Sequence, residues 1–199
     1  MKQFEVNINE IGIDESGRGP FLGRVYAGAV IWKKDLESDL INDSKKLTPK
    51  KRQKALDWIK NNVDYWDYGY ATEQEVDKYN ILNATKMAME RAVEKIKLKV
   101  NLEEYNLLID GNNWENKFIY PTKSVVKGDQ KYYSIAAASI IAKEYHDEYI
   151  NNLCINHSSL VEKYNLDSNK GYGTKKHIEG LRMYGPSEFH RLSFIKKYI

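Results

Sequence analysis

Two carboxylates stand together at the end of an apolar run in Ile11-Gly12-Ile13-Asp14-Glu15, and a Gly17-Arg18-Gly19 turn follows after a single serine. Two further aspartates occupy similar breaks, in Leu107-Leu108-Ile109-Asp110-Gly111 and in Val125-Val126-Lys127-Gly128-Asp129. Carboxylates gathered on one sheet edge repel each other and take up protons unless a cation compensates them. Hard oxygen ligands suit Mg²⁺ or Mn²⁺ rather than zinc. Two such ions ~3.5–4 Å apart can clamp a scissile phosphate, one activating water and the other stabilising the leaving oxygen. A turn rich in backbone N–H groups beside them can read a nucleic-acid backbone. The combination points to metal-dependent phosphodiester hydrolysis.

Each of these residues also has a plainer reading. Asp14 and Glu15 can cap local amides, and Gly17 and Gly19 can serve a tight turn with positive φ. Asp110 can start a turn with Gly111. Asp129 can cap the helix that runs through Ser134. Asp147 competes with Asp129 as the fourth acid, about five turns further along that helix, and is read as supporting or structural. Lys45, Lys46, Lys50, Lys51 and Arg52 form a basic cluster, either a solvated face or a phosphate contact. Lys143 is a further candidate for phosphate. His190 and Arg191 form a structural pair or a substrate contact, and the sequence does not choose between them.

The elements that must position these groups are legible in part. Ile11 to Asp14 reads as a strand end, Val25 to Trp32 as a second strand after a hairpin-like connection, and Val63 to Ala71 as a third. Thr48-Pro49 is a helix start. Thr72-Glu73-Gln74-Glu75 fits a capping box. Ala84, Ala88, Ala92 and Ile96 predict a helix over Leu82 to Leu98. Short strands are expected at Tyr105 to Asp110 and Lys123 to Val126. Ser134 to Lys143 reads as a helix whose small residues let it approach the sheet closely. A loop over Asn169 to Thr174 and a short final helix follow. The sum is an α/β domain with a mixed sheet.

Composition sets the bounds. The 199 residues, 42% apolar, suffice for one domain with a packed core. The net charge of +3, from 31 basic and 28 acidic residues, is too mild to establish a nucleic-acid partner by itself. Cys154 is the only cysteine, which excludes an internal disulfide or a cysteine-only zinc site. No run of about twenty apolar residues is present, so no membrane span is expected. Met1 to Asn7 lacks the apolar stretch of a secretory signal, and a cytoplasmic location is expected.

Seven blocks then resemble ribonuclease HII in that family's order. They are Asp14-Glu15-Ser16-Gly17-Arg18-Gly19-Pro20, Asp43-Ser44-Lys45-Lys46-Leu47, Ile109-Asp110-Gly111-Asn112, Lys127-Gly128-Asp129, Ile135 to Lys143, Asn169 to Thr174, and His190-Arg191-Leu192-Ser193-Phe194. The resemblance runs from about Ile11 to Phe194. It implies a ribonuclease H-like fold, with a mixed central β-sheet flanked by helices and a helical C-terminal part from about residue 151. It implies an endoribonuclease that hydrolyses the RNA strand of RNA–DNA hybrids and cuts 5′ of ribonucleotides embedded in duplex DNA, leaving 3′-hydroxyl and 5′-phosphate ends.

By the same resemblance, Asp14, Glu15, Asp110 and Asp129 hold two Mg²⁺ or Mn²⁺ ions. Gly17, Arg18 and Gly19 read the ribose 2′-hydroxyl together with Tyr172, and that hydroxyl distinguishes RNA from DNA. Ser44, Lys45, Lys46 and Lys143 are candidate substrate contacts. Ser16 stands where the family usually has alanine, and Gly173 where proline is usual, which is expected to loosen the loop carrying Tyr172. A monomer is expected, with no recognisable sliding-clamp peptide. Ribonuclease HIII is the rival enzyme, and the short segment before Asp14 counts against its extra N-terminal domain. A non-catalytic binding module on the same fold is the rival from another class, and the four intact acids count against it.

Overall fold

The computed structural model describes residues 1–3 and 9–199, with the side chain of residue 103 also left undescribed. Residues 4–8, part of the segment read above as lacking a secretory signal, lie outside the described residues. Five strands form one sheet in the order β3-β2-β1-β4-β5. They are β1 (Asn9–Ser16), β2 (Val25–Ile31), β3 (Tyr65–Ala71), β4 (Tyr105–Asp110) and β5 (Thr122–Val125). β1 pairs antiparallel with β2, and β2 with β3, whereas β1–β4 and β4–β5 are parallel. The sheet is therefore mixed, as the sequence predicts.

Strand alternation sorts the two faces. Ile11, Ile13, Val25, Ala27, Leu107 and Ile109 point to one face and pack against Ala84, Ala88, Met89, Ala92 and Ile96. These last residues line α2 (Glu73–Lys97), on the four-residue spacing that predicts the helix. Thr72 and Glu75 close the capping box in both directions. The run breaks at Asn80 (φ 66°, ψ 165°), whose Oδ1 accepts from the Asn83 amide and restarts the helix. The sequence reading of a separate helix from about Leu82 reflects this break.

The opposite face is covered by α1 (Pro49–Asn62) and α3 (Tyr133–Asn156). Thr48 caps α1 through the Lys51 amide, with Pro49 in the first turn. α3 lies close to the sheet: a Cβ added at Gly12 or Gly28 would come within 2.3 Å of the α3 backbone. Burying Val30, Ala55, Ile59, Ala136, Ala137, Ile140 and Ile141 closes this second half of the core. Each of the valine and isoleucine side chains among them contributes roughly 1.5–3 kcal/mol when fully buried.

α3 continues unbroken past residue 151, so the helical C-terminal part begins inside a helix rather than at a linker. It goes on through α4 (Ser158–Tyr164), α5 (Leu166–Asn169), α6 (Lys175–Tyr184) and α7 (Leu192–Ile195). Leu22, Ile150, Leu160, Leu166, Leu181 and Ile195 form their shared core. Leu22 belongs to the turn after β1, so this layer packs directly on the loop that follows Asp14.

Candidate active site

The parallel pairing of β1 with β4 matches Ile13 to Ile109, and the next residue on each strand is an aspartate. Asp14 and Asp110 thus emerge side by side, on the α3 face of the sheet. Asp129 comes from the 3-10 turn Gly128–Gln130 just before α3. Among the described residues, one carboxylate oxygen from each of Asp14, Asp110 and Asp129 lies within 4.8 Å of the others. Two of the acids are pinned by amides. The Glu15 N–H donates to Asp14 Oδ1 at 2.7 Å, and the Gly128 N–H donates to Asp110 Oδ1 at 2.7 Å. No side chain caps α3, so Asp129 does not serve as its N-cap.

Glu15 stands beside this trio and outside the 4.8 Å group. Its Oε1 accepts from Arg18 Nη1 at 2.9 Å. Its Oε2 is buried without a hydrogen-bond partner. Burial, then repulsion from Glu15 and Asp110, raises the Asp14 carboxyl well above the usual range. Burial also raises Glu15, against the pull of Arg18. Asp129 is pushed up to about 6 by burial and by Asp110 and Asp43. A cluster of acids held against burial and mutual repulsion, with an orphaned oxygen beside it, fits hard divalent cations.

The Asp43-Ser44-Lys45-Lys46 block reaches the same place. Asp43 is 4% exposed, accepts from the Lys45 amide at 2.9 Å, and accepts from Gln130 Nε2 at 3.2 Å. Burial opposes the charge on Lys45, yet Asp14, Asp129, Asp43 and Asp110 together raise its pKa. Lys45 therefore stands within the field of four of these acids, as Arg18 stands against Glu15. Ser44 is buried at the start of its 3-10 turn, and Lys46 is exposed beside it. Asp43 is the acid that the sequence reading passed over. Its signal is its position, one residue ahead of the Ser-Lys-Lys run.

Other expectations need correction. Arg52 is not part of a solvent-facing basic cluster. It is buried, hydrogen-bonded to Glu144, and paired with Asp147 at 2.9 Å. Asp147 also accepts from Lys143 at 2.7 Å and contacts His146 Nδ1 at 3.2 Å. Asp147 is thus committed to an ion-pair network between α1 and α3, away from the acid trio. Lys143 is tied into that network rather than directed at the trio.

The Gly17-Arg18-Gly19 turn and the Tyr172 loop meet. Gly17 has φ +86°, a conformation that favours glycine, and His146 fills the space where a Cβ would lie. A Cβ on Gly19 would lie 3.2 Å from Tyr172 Cε1, so the ring sits over that turn. Tyr172 is 47% exposed and open to a ligand. Gly173 does not loosen this loop. The Phe21 ring occupies the Cβ position, with Cε2 2.2 Å from it, and Phe21 N–H donates to Gly171 O at 2.8 Å. Arg191, left open by the sequence, lies fully buried beneath the same turn.

Comparisons with known proteins place this arrangement. The fold matches the crystal structure of ribonuclease H2 from Pyrococcus horikoshii OT3 with a TM-score of 0.73. The match covers 96% of this chain and 97% of that one at 22% identity, which defines a ribonuclease H-like α/β architecture. A structure of Bst-RNase HIII in complex with Mn²⁺ gives a TM-score of 0.73 over 96% of this chain and 69% of that one, at 18% identity. The family model for ribonuclease HII matches residues 11–197. Ribonuclease HII of Bacteroides fragilis is 45% identical over 185 residues, covering 93% of this chain and 88% of the relative. The chain belongs to the ribonuclease HII family and is an enzyme of the ribonuclease H class. No described helix is long and apolar enough to cross a membrane.

Proposed function

We propose that this chain hydrolyses the RNA strand of RNA–DNA hybrids and cuts on the 5′ side of single ribonucleotides in duplex DNA. One observation carries the reading: Asp14 of the acid trio and the Gly17–Gly19 turn beneath Tyr172 belong to one continuous strand exit. A strand whose 2′-hydroxyl meets the turn therefore presents its neighbouring phosphate to Asp14. Asp14, Glu15, Asp110 and Asp129 would hold two Mg²⁺ or Mn²⁺ ions, which when bound supply charge neutralisation at the phosphate and activation of water.

The chain's own groups do the rest. The amides of Glu15 and Gly128 fix two of the carboxylates, so little reorganisation is needed as substrate arrives. Lys45 adds a positive charge next to the acids, placed for a phosphate oxygen. Arg18 holds Glu15 and is half exposed, within reach of the strand. Tyr172 covers the sugar from above the turn. Ser44 and Lys46 flank Lys45, whereas Lys143 is held by Asp147 at 2.7 Å.

The test is cleavage of an end-labelled duplex with one ribonucleotide, in Mg²⁺ and in EDTA, with the cut mapped to the nucleotide. A metal-dependent cut 5′ of the ribonucleotide, with a 3′-hydroxyl, is expected. A cut at another position, or equal cutting of an all-DNA duplex, overturns the reading.

A further inference from the structure

Arg191 has 0% exposure, yet its side chain makes four hydrogen bonds, all to backbone carbonyls. Nε donates to Gly23 O at 2.7 Å, and Nη2 donates to Gly17 O at 2.7 Å. Nη1 donates to Arg18 O at 3.1 Å and to Pro20 O at 3.0 Å. The backbone beside it is paired to the same loop. Arg191 N–H donates to Phe21 O at 2.8 Å, and Gly23 N–H donates to Phe189 O at 3.0 Å. One buried side chain from the C-terminal tail therefore fixes the whole stretch from Gly17 to Gly23. Burial lowers the guanidinium to about 10, which leaves it charged at neutral pH.

The peptide unit is planar and trans, so a carbonyl and the N–H of the next residue point in opposite directions. Turning the carbonyls of Gly17 and Arg18 inward to Arg191 turns the N–H groups of Arg18 and Gly19 away from it. Neither amide donates a hydrogen bond to another described residue. Among the described residues they are free donors of the turn, and Arg191 sets their direction.

His190 serves the other half of the site. Its Nδ1 accepts from the Ser187 N–H at 2.9 Å, so the ring proton sits on Nε2. Nε2 lies 2.9 Å from His177 Nε2 and donates to it. That leaves the His177 proton on Nδ1, which donates to Tyr172 O at 3.0 Å. Both rings are buried, and burial lowers both pKa values, that of His190 to about 4, so the neutral relay persists at neutral pH.

We propose that His190-Arg191 is the positioning element of ribonucleotide recognition. Arg191 aims the amides of the Gly17–Gly19 turn, and His190 holds the Tyr172 loop through His177. This rests on the reading of that turn and Tyr172 given above. Neither residue touches the reacting atoms; both act through the groups that do.

The experiment uses the full chain. It measures kcat and KM on a duplex with one ribonucleotide and on an RNA–DNA hybrid. It also measures Kd in EDTA for the ribonucleotide-bearing duplex against all-DNA duplex, together with thermal melting and Mn²⁺ affinity by calorimetry. Arg191→Lys keeps a cation but loses the planar fork that spans four carbonyls. It is expected to keep Mn²⁺ affinity while losing about tenfold of its preference for the ribonucleotide duplex, as misplacement of positioning groups does. His190→Gln should lose the same preference through the Tyr172 side. If Arg191→Lys does not fold, His177→Gln decides by the same ratio: a fall of about tenfold supports the proposal and an unchanged ratio overturns it. Preference kept within about twofold of wild type overturns it, as do equal losses on both substrates accompanied by weakened Mn²⁺ binding. A wild type that shows no ribonucleotide preference instead overturns the functional reading beneath it.

Discussion

Replacing Asp129 with asparagine is expected to abolish cleavage while stabilising the metal-free protein. The Asp129 carboxyl rises from 3.8 to about 6 through burial first, then repulsion by Asp110 and Asp43, with Lys45 opposing. An acid whose pKa is raised in the fold favours the fold when protonated. Its contribution is fully present below the unfolded value of 3.8 and is lost as pH rises through about 6. A rise of this size corresponds to a penalty of at most about 3 kcal/mol at pH 7, about half of that at pH 5, and under ~1 kcal/mol at pH 4. Asparagine keeps the shape and removes the charge.

Urea unfolding in EDTA should therefore place the midpoint of Asp129→Asn up to about 1 M above wild type at pH 7. The gap should shrink at pH 5. Adding Mg²⁺ should stabilise wild type by linkage, and the variant much less. Turnover on a ribonucleotide-bearing duplex should fall by roughly a thousandfold, as expected when several kcal/mol of charge stabilisation are lost. A variant less stable than wild type in EDTA at pH 7, or one that keeps wild-type turnover in saturating Mg²⁺, would refute the reasoning.

Tyr172→Ala should reduce kcat/KM at a single ribonucleotide by roughly ten- to a hundredfold, the effect of one lost aromatic contact, and should affect an RNA tract less, where neighbouring 2′-hydroxyls still position the strand. Equal losses on the two substrates would assign Tyr172 to general binding. Asp147→Asn should leave metal-dependent cleavage largely intact but lower stability. Burial raises that carboxyl, yet the hydrogen bonds from His146 and Lys143 outweigh it and hold it at about 2. Its contribution, roughly 2 kcal/mol, is present above 3.8 and lost as pH falls through about 2. Acid unfolding of wild type and variant that differs equally at pH 7 and at pH 2 contradicts this. Gly173→Ala should destabilise by roughly 1–3 kcal/mol, as overpacking does, because its Cβ would meet the Phe21 ring. An unchanged melting temperature would show that the ring moves aside freely.

Local sequence determined a good deal of this protein. Thr48-Pro49, the Thr72–Glu75 capping box and the alanine spacing from Ala84 to Ala92 mark helices, because caps and helical periodicity act over a few residues. Asp14 and Asp110 declare themselves as acids at the ends of apolar strands, and the small residues of α3 announce a close approach to the sheet. Only the tertiary structure decided which acids meet. The parallel register of β1 and β4 sets Asp14 beside Asp110, whereas Asp147, on a helix that begins near Asp129, is drawn off to Arg52 and Lys143. Arg52 reads as one more surface cation until α1 docks on α3 and buries it. Gly173 reads as a loosened loop until Phe21 fills its space. His190-Arg191 carries no local signal of its role, since its partners are the carbonyls and imidazole of distant segments. Short-range preferences are written in neighbouring residues, but strand register and the matching of a buried cation to remote carbonyls are satisfied only once the whole chain has packed.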